Sequence, residues 1–463
     1  MAFGNRSGPE AHDVQTLEAS AEEVRGAEEL ILLAFRKSLD EYLRGRPDPR
    51  PQPADDRAIF GLADKAVRDY HAATARDQSL PRLSQVQSWE IRQRLYITHG
   101  ALGPLGELLA IEGVEDIHID GTEAGYLEFG DRREPLPVKF GSEDDLVALV
   151  RFYAEQAGKH FDPSNPIVTV TMRDGSRLNA ILPPVAKPMA ITIRKQQLRR
   201  FLYLEDLAKA GTIPHGALRL LEAAVRARLN MILSGPTGTG KTTLARVLAL
   251  LIPDGERVCV LETETELWLH ELRRGFISLE ERDANVEGAG RITLQDLFQR
   301  GALRQRPRRI IVGEVRGKEA LDMLHAMTSG HDGSLTTLHA SGPRMALNRL
   351  EVLAMSADSN LVPQVVRQMV GSGVDLVAHL SIYQRGDDQV RRLGSLSFVA
   401  ENPEDPLGAP SVMELCTYRV ESDSWDWRPE SLKYMPDKVR LKFQAAGMDP
   451  DRLVRDVIED GWS

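Results

Sequence analysis

The stretch NMILSGPTGTGKTTLARVLALLIP, residues 230–253, decides the fold of this chain. It starts as an apolar run typical of a buried strand, passes through a glycine-rich turn and continues as a helix from the lysine. Gly235, Gly240, Lys241 and Thr242 satisfy the pattern G-x-x-x-x-G-K-[ST] in the strand–loop–helix context that the pattern requires. The sequence therefore predicts a loop that binds the phosphates of a nucleotide.

The chemistry of such a loop assigns a role to each of its parts. Backbone N–H groups of the loop and of the helix N-terminus surround the phosphates. We expect Lys241 to reach the β- and γ-phosphates and the Thr242 hydroxyl to ligate Mg²⁺, so the predicted cofactors are ATP and Mg²⁺. The predicted cofactor-binding residues of the loop are Gly235, Pro236, Thr237, Gly238, Thr239, Gly240, Lys241, Thr242 and Thr243.

Polar residues follow the strands that come after this loop. The segment RVCVLE carries Glu262 and leads to Glu266, RIIVGE ends at Glu314, and SLTTLHA delivers His339. The stretch TLQDLFQRGALRQR between them predicts a helix that begins with a capping box of Thr and Asp. Alternating strands and helices predict a parallel sheet, and such a sheet binds its ligand at the carboxyl ends of its strands. One crevice can therefore collect all four side chains.

The predicted fold class is α/β, with a RecA-like P-loop ATPase domain preceded by a mixed α+β N-terminal domain and a small helical bundle. Helical spacing of apolar residues predicts the bundle, and short alternating segments bounded by Gly, Asp and Pro predict the antiparallel strands of the α+β domain. The predicted divisions are a mobile acidic tail at 1–25, the bundle at 26–100 with a Pro-rich linker at 44–56, the α+β domain at 101–198, a hinge at 199–212, the ATPase domain at 213–400 and a C-terminal extension of unreadable role at 401–463.

Composition limits the cellular setting. The chain has 463 residues and a net charge of −10, with 42% hydrophobic and 27% charged residues, which is typical of a globular protein without a general attraction to nucleic acid. Its two cysteines, Cys259 and Cys416, stand far apart, as suits a reducing compartment. No apolar run approaches the length of a membrane span. We expect a cytoplasmic protein that partners hold at the cytoplasmic face of the inner membrane.

Five separated motifs carry a family resemblance. GPTGTGKTT, LETETEL, RIIVGEVRGKEALDMLHAMTSGHDGSLTTLHA, DGSRLNAILPP and ITIRK together resemble the type II/IV secretion ATPase superfamily. Within it the CpaF/TadA branch, which powers tight-adherence (Flp-type) pili, is the most similar. The resemblance implies that Glu314 is the Walker B acid and, with Thr242, a ligand of Mg²⁺. It also implies that Glu266 polarises the attacking water and that His339 contacts the γ-phosphate.

The resemblance leaves the sharing of roles between two acids open. Relatives read Ile-Glu-Asp where this chain has Leu261-Glu262-Thr263, so Glu262 stays beside Glu266 as a candidate catalytic residue. Two arginines of the N-terminal domain complete the set that the resemblance implies. Arg194 resembles an arginine that closes over the nucleotide, and Arg177 is a second candidate of the same kind.

The resemblance implies a homo-hexamer in which the N-terminal domain closes over the ATPase domain and works on an inner-membrane platform protein. The favoured function is a motor for assembly of a Flp/Tad-type pilus or for type II/IV protein secretion. The alternatives are a conjugation-type ATPase that supports DNA transfer and a nucleotide switch without a motor role. The arginine-rich stretch 298–309 lies on a predicted helix and loop that lead into a core strand, and no aromatic interleaving follows it. No specific nucleic-acid partner is therefore expected.

Overall fold

The structure of the chain is a computed structural model that describes residues 19–46, 51, 55–99, 104–130, 132–196, 201–282, 284, 289–386, 388–401 and 408–459. The chain divides into two compact units, Met1–Gln197 and Leu198–Ser463. Every predicted division includes residues outside the described ranges: 1–18 of the tail, 47–50, 52–54 and 100 of the bundle with its Pro-rich linker, 101–103, 131 and 197–198 of the α+β domain, 199–200 of the hinge, 283, 285–288 and 387 of the ATPase domain, and 402–407 and 460–463 of the C-terminal extension. Within the described ranges, no helix has both the length and the apolar character needed to cross a membrane.

Three helices open the first unit: α1 (Ala21–Leu43), α2 (Asp56–Thr74) and α3 (Gln85–His99). Their apolar faces pack together around a common core that includes Phe35, Ile59 and Ile91. α1 begins within the stretch for which the sequence predicts a tail. The reason is a capping box, in which the Ser20 hydroxyl accepts from the N–H of Glu23 and the Glu23 carboxylate accepts from the N–H of Ser20.

A six-stranded antiparallel sheet follows in the same unit, in the order β3-β2-β1-β6-β5-β4. Residues alternate along each strand, so that Ile117 and Ile119 enter the core while Asp116 and His118 point to the other face. The elements are α4 (Pro104–Ala110), β1 (Asp116–Asp120), β2 (Ala124–Phe129), β3 (Arg132–Pro135), α5 (Glu143–Gln156), β4 (Ile167–Thr171), β5 (Arg177–Ile181) and β6 (Ala190–Arg194).

The second unit contains a nine-stranded sheet in the order β15-β14-β13-β12-β7-β11-β10-β8-β9. Its elements, in chain order, are α6 (Leu204–Lys209), α7 (His215–Arg226), β7 (Met231–Ser234), α8 (Lys241–Leu250), β8 (Val258–Glu262), α9 (Leu269–Leu272), β9 (Phe276–Glu280), α10 (Leu294–Asp296), β10 (Arg309–Val312), α11 (Glu319–Thr328), β11 (Leu335–Leu338), α12 (Pro343–Met355), α13 (Pro363–Gly373), β12 (Leu376–Arg385), β13 (Asp388–Ala400), β14 (Ser411–Arg419), β15 (Ser424–Trp427), α14 (Pro429–Lys433), α15 (Asp437–Ala445) and α16 (Pro450–Glu459).

Six neighbouring strands of this sheet, β12, β7, β11, β10, β8 and β9, run parallel. Both faces of the parallel part are covered, which is why strands such as β7 and β10 are buried along their whole length. Leu233 packs into the core on one face, and its neighbour Ile232 packs into the core on the other. This architecture confirms the predicted fold class.

The segment predicted as one helix at 293–306 has a different form. The capping box of Thr293 and Asp296 is present, but α-helix continues only to Asp296. A π-helical turn covers Leu297–Gly301 and a 3₁₀ turn covers Ala302–Gln305. Gly301 has little helix propensity, and Arg306, at φ 51°, turns the chain toward β10. The prediction of a regular helix here is wrong.

The described residues after 400, namely 401 and 408–459, lie in the second unit and help to form its core. β14 pairs with β13, β15 pairs with β14, and Val439, Phe443 and Val457 of the last helices enter the same core as β7. α15 is tied down by charge as well, because Lys442 Nζ donates to the buried carboxylate of Asp375 at 2.6 Å. The C-terminal residues are therefore part of the packed unit around the sheet.

Candidate functional site

The phosphate-binding loop connects β7 to α8, and its glycines are required by the backbone. Gly235 adopts φ 151°, and a Cβ at that position would lie 2.2 Å from the carbonyl oxygen of Leu380. Gly240, at φ 93°, is the left-handed residue that directly precedes α8. The first N–H groups of α8 have no partners within the helix, which makes this end of the helix suited to an anion.

Lys241, the first residue of α8, is 7% exposed. Its Nζ donates to the carbonyl of Pro236 at 2.8 Å and lies 3.5 Å from Nδ1 of His339. Burial lowers the pKa of Lys241, and the carboxylates of Glu314 and Glu266 act in the opposite direction. The ammonium group therefore lies between the phosphate-binding loop and the ends of the neighbouring strands.

Glu266 lies beside the start of the same helix. The Thr242 hydroxyl donates to Oε2 of Glu266 at 3.4 Å, and the Glu266 side chain is exposed. The hydroxyl predicted to ligate Mg²⁺ and one of the two candidate catalytic acids are thus neighbours. A carboxylate in this place can accept a proton from a water molecule next to bound phosphates.

Glu262, at the end of β8, has a different environment. It is 3% exposed, and its Oε1 accepts hydrogen bonds from the N–H groups of Glu266 and Leu267, each at 3.0 Å. Its Oε2 is buried and has no hydrogen-bond partner among the described residues. Burial raises the pKa of Glu262 to about 7, against the opposing effect of the two N–H groups. The buried carboxyl group of Glu262 therefore stabilises the turn that contains Glu266.

Gly313 explains why the acid at the end of β10 follows a glycine. A Cβ at position 313 would lie 2.9 Å from Cγ of Glu262, an atom close to the backbone that has little freedom to move. A larger residue at this position would push Glu262 away from the N–H groups whose hydrogen bonds it accepts. The Gly-Glu sequence and the buried Glu262 are consequently two halves of one packing arrangement.

The side chain of Glu314, which follows β10, contacts that of His339, which follows β11. Its Oε1 lies 3.2 Å from Nε2 of His339, and its Oε2 accepts from Arg316 at 2.7 Å. Burial raises the pKa of Glu314, but the hydrogen bond and the charge of Arg316 outweigh it, so this pKa lies below its usual value. Burial and the charge of Lys241 lower the pKa of His339. A neutral imidazole fits both of its contacts, with Nε2–H donating to Glu314 and Nδ1 facing Lys241.

Three supporting residues were missed in the sequence. Arg316 bonds Glu314, Glu319 accepts from the N–H groups of Arg316 and Gly317, and Arg246 donates to the carbonyls of Glu266 and Leu267. Arg246 is 4% exposed, and burial lowers its pKa to about 10. Its signal in the sequence is an arginine within the apolar run LARVLAL, a position where a charge needs a buried partner.

The two predicted arginines lie in the first unit, on the outward face of its antiparallel sheet. Arg194 of β6 is opposite Asp116 of β1 on one side and Arg177 of β5 on the other. Nε of Arg194 donates to Oδ1 of Asp116 at 3.0 Å, and the Arg194 side chain is 74% exposed. The sheet therefore presents two adjacent cations at the ends of neighbouring strands.

Five predicted site residues thus converge at the carboxyl ends of the parallel strands: Lys241, Thr242, Glu266, Glu314 and His339. These residues fit a nucleoside triphosphate, because they join a loop of N–H groups, a cation, a hydroxyl and carboxylates. They also fit Mg²⁺, which in phosphate-transferring sites takes few protein ligands and completes its shell with phosphate oxygens and water.

Comparison with known proteins gives the family. The model of the family described as "Type II/IV secretion system protein" matches residues 100–416, more than half of the chain. The chain belongs to this family. Proteins of this family are ATPases, so the predicted enzyme class is confirmed.

Individual relatives refine the comparison. The "Putative conjugal transfer protein Rv3659c" of Mycobacterium tuberculosis is 32% identical over 306 residues, which are 65% of this chain and 84% of that protein. Protein VirB11 of Agrobacterium fabrum is 30% identical over 287 residues, 55% of this chain and 81% of that protein. The crystal structure of the VirB11 ATPase from the Brucella suis type IV secretion system is 23% identical, covers 68% of this chain and 97% of its own, and has a TM-score of 0.34.

These names bear differently on the predicted superfamily and on the predicted branch within it. The superfamily is confirmed, whereas the CpaF/TadA branch is not, because the relatives are named as conjugal transfer and VirB11 proteins. The preference for a Flp-type pilus over conjugation, which rested on the stretch from Gly313 to Ala340, is therefore not supported. The matched names favour the alternative that the sequence left open.

The raised pKa of Glu262 predicts a pH-dependent stability. Below its usual value of 4.5 the carboxyl group is protonated in both the folded and the unfolded chain. Between 4.5 and about 7 only the folded chain keeps the proton, so the free energy of unfolding falls as the pH rises, and above about 7 it levels off. Relative to Glu262→Gln, we expect the wild type to lose about 2–3 kcal/mol between about pH 5 and about pH 8.

Urea unfolding of both proteins without nucleotide and Mg²⁺ measures this difference. Glu264→Gln, which changes a less buried acid two residues away, is the matched control and should keep the pH dependence of the wild type. A difference between wild type and Glu262→Gln that stays constant over this pH range would contradict the buried, proton-holding state of Glu262.

Proposed function

We propose that this chain is the ATP-hydrolysing motor of a type IV secretion apparatus of the conjugation type. The observation that carries the proposal is the similarity to a conjugal transfer protein over 84% of that protein's length, together with the similarity to VirB11. The convergent site supports it, because a motor must turn ATP over and this site brings carboxylates, a cation and a phosphate-binding loop together.

The proposed chemistry assigns one task to each side chain. Lys241 and the N–H groups at the start of α8 hold the phosphates, and Thr242 and Glu314 would hold Mg²⁺, which neutralises phosphate charge when bound. Glu266, exposed beside Thr242, orients the attacking water and accepts its proton. His339, whose single N–H donates to Glu314, senses the γ-phosphate through its contacts with Glu314 and Lys241.

Glu262 takes a supporting task in this proposal. Its buried Oε1 already accepts two backbone hydrogen bonds and fixes the turn that carries Glu266. With a pKa near 7, it is also a poorer candidate for a permanently charged ligand. We therefore assign catalysis to Glu266 and the positioning of Glu266 to Glu262, which separates the two acids that the sequence leaves together.

Arg194 is proposed to act in a closed state of the motor. Six copies would form a ring, and the antiparallel sheet of the first unit would close over the nucleotide and deliver Arg194 to the phosphates, with Arg177 beside it. Asp116 holds the Arg194 guanidinium at 3.0 Å and so limits its rotamers beforehand. The proposed partners are further copies of this chain and an inner-membrane platform protein of the secretion apparatus, at the cytoplasmic face of the membrane.

DNA transfer by such an apparatus does not require this chain to touch DNA. The net charge of −10 gives no general attraction to a polyanion. The arginine-rich segment is partly used within the fold, because Arg309 is 1% exposed and bonds Glu256. We propose that the chain acts on protein components and that any association with nucleic acid is weak and sensitive to salt.

The proposed function is tested in the host strain by replacing the gene with a Lys241→Ala allele. Loss of the cation that faces the phosphates should abolish hydrolysis, and transfer of DNA to a recipient should fall to the level of a deletion strain. Lys209→Ala, a change in α6 of the same unit, is the control. If DNA transfer persists while surface filaments disappear, the motor serves a pilus and the conjugation-type proposal is wrong.

A second experiment tests the proposed closure. Arg194→Ala in the full-length protein should still bind ATP, because the loop and Lys241 are intact, while steady-state hydrolysis falls by ~10³–10⁵-fold, as for arginines that complete other phosphoryl-transfer sites. Arg132→Ala is the matched control, because Arg132 is also exposed, lies on the same sheet and pairs with Glu134. Turnover of Arg194→Ala within about tenfold of the wild type would refute the closed-state role.

A further inference from the structure

The hairpin of β12 and β13 extends beyond the strand that carries the phosphate-binding loop. β12 pairs with β7 only over Leu376–His379, and its remaining residues, 380–385, pair only with β13. Because β7 ends at Ser234 and the loop begins at Gly235, the extended part of the hairpin runs beside the loop. None of its residues has a role in the chemistry proposed above.

The base of this hairpin contacts the root of the loop. His379 is 6% exposed, and its Nδ1 lies 3.0 Å from Oγ of Ser234, the last residue of β7. The pairing register shifts directly after His379, which marks a bulge, and bulges re-aim the backbone. There the carbonyl of Leu380 approaches the loop so closely that position 235 accepts only glycine.

Arg391 of β13 reaches the middle of the loop from outside. Its Nε donates to the carbonyl oxygen of Gly238 at 2.8 Å, across 153 residues of sequence. The peptide bond between Gly238 and Thr239 is trans, so the N–H of Thr239 points away from Arg391. On the other side of the loop, Lys241 Nζ and Thr239 Oγ1 both donate to the carbonyl of Pro236. Two carbonyls of the loop are therefore held in place, one by the hairpin.

The hairpin is itself braced by residues from the C-terminal part of the chain. Arg392, next to Arg391, bonds Asp423, which also accepts from the Tyr418 hydroxyl at 2.6 Å. The indole N–H of Trp425 donates to the carbonyl of Leu393 at 2.7 Å. These contacts connect β14 and β15 to β13 on the side away from β12. They give the residues after 400 a physical connection to the phosphate-binding loop.

We propose that Arg391 is a positioning residue for the phosphate-binding loop, and that the β12–β13 hairpin sets the affinity of the site for nucleoside di- and triphosphates. By holding the Gly238 carbonyl, Arg391 turns the N–H of Thr239 toward the bound phosphates. Loop N–H groups of this kind cradle the α- and β-phosphates, which ATP and ADP share. The effect therefore falls on nucleotide binding and leaves the chemical step unchanged.

Arg391→Gln is the test, with full-length protein, MgATP and MgADP. Loss of the charged hydrogen bond should raise the KM for ATP and the Kd for ADP by the same factor, about tenfold, while kcat stays within about twofold of the wild type. Arg391→Lys keeps a cationic donor on a flexible chain and should recover most of the affinity. Arg419→Gln is the matched control, because Arg419 is exposed, lies on β14 and pairs with Asp426 at 2.7 Å.

The other outcomes are decisive as well. Nucleotide affinities of Arg391→Gln within about twofold of the wild type would overturn the proposal, whatever the melting temperature does. A fall in kcat without a change in Kd would also overturn it, since Arg391 would then act in the chemical step. If Arg391→Gln does not fold, Arg391→Lys decides, and an ADP affinity in that variant about tenfold or more below that of the wild type would refute a role for the cationic donor.

Discussion

The arrangement of the site depends on the buried carboxyl group of Glu262. One of its oxygens accepts two backbone N–H groups from the turn that follows β8, and the other is buried without a partner among the described residues. A buried oxygen without a hydrogen-bond partner lowers the stability of the fold. What the arrangement provides is therefore the position of the following turn. It fixes a turn that is too short to form regular structure and that carries Glu266 to the phosphate-binding loop.

Two neighbours make this geometry possible. Gly313 leaves the space that the Glu262 side chain fills, which connects the end of β8 with the end of β10. Arg246 donates to the carbonyls of the same turn whose N–H groups Glu262 accepts. Glu262 thus holds the turn through its N–H groups, and Arg246 holds it through its carbonyls. Because Arg246 belongs to α8, the turn is also connected to the helix that begins at the phosphate-binding loop.

Local patterns in the sequence predicted the parts of this site that local chemistry determines. The P-loop pattern and the acids and histidine at strand ends suffice for the crevice, because parallel strands bring their carboxyl ends to one edge. Burial is set by tertiary packing, so the sequence could not distinguish buried Glu262 from exposed Glu266. Arg391 was out of reach for the same reason, since its partner is 153 residues away. The turns at 297–305 and the capped start of α1 differ from the predictions because of Gly301 and Ser20, each of which is a local signal in the sequence. The pilus branch rested on resemblance within a motif that closely related machines share.

The central claim is that Glu266 performs the catalysis and Glu262 positions it, and single-turnover hydrolysis of bound ATP tests it most directly. With nucleotide binding measured in parallel, the account predicts that Glu266→Gln binds ATP and loses ~10²–10⁴-fold in rate. Glu262→Gln, whose amide oxygen can still accept the two N–H groups, should retain a rate within about tenfold of the wild type, and Glu264→Gln should be unaffected. If Glu262→Gln shows the deeper loss while Glu266→Gln hydrolyses ATP normally, the roles are reversed and the account is wrong.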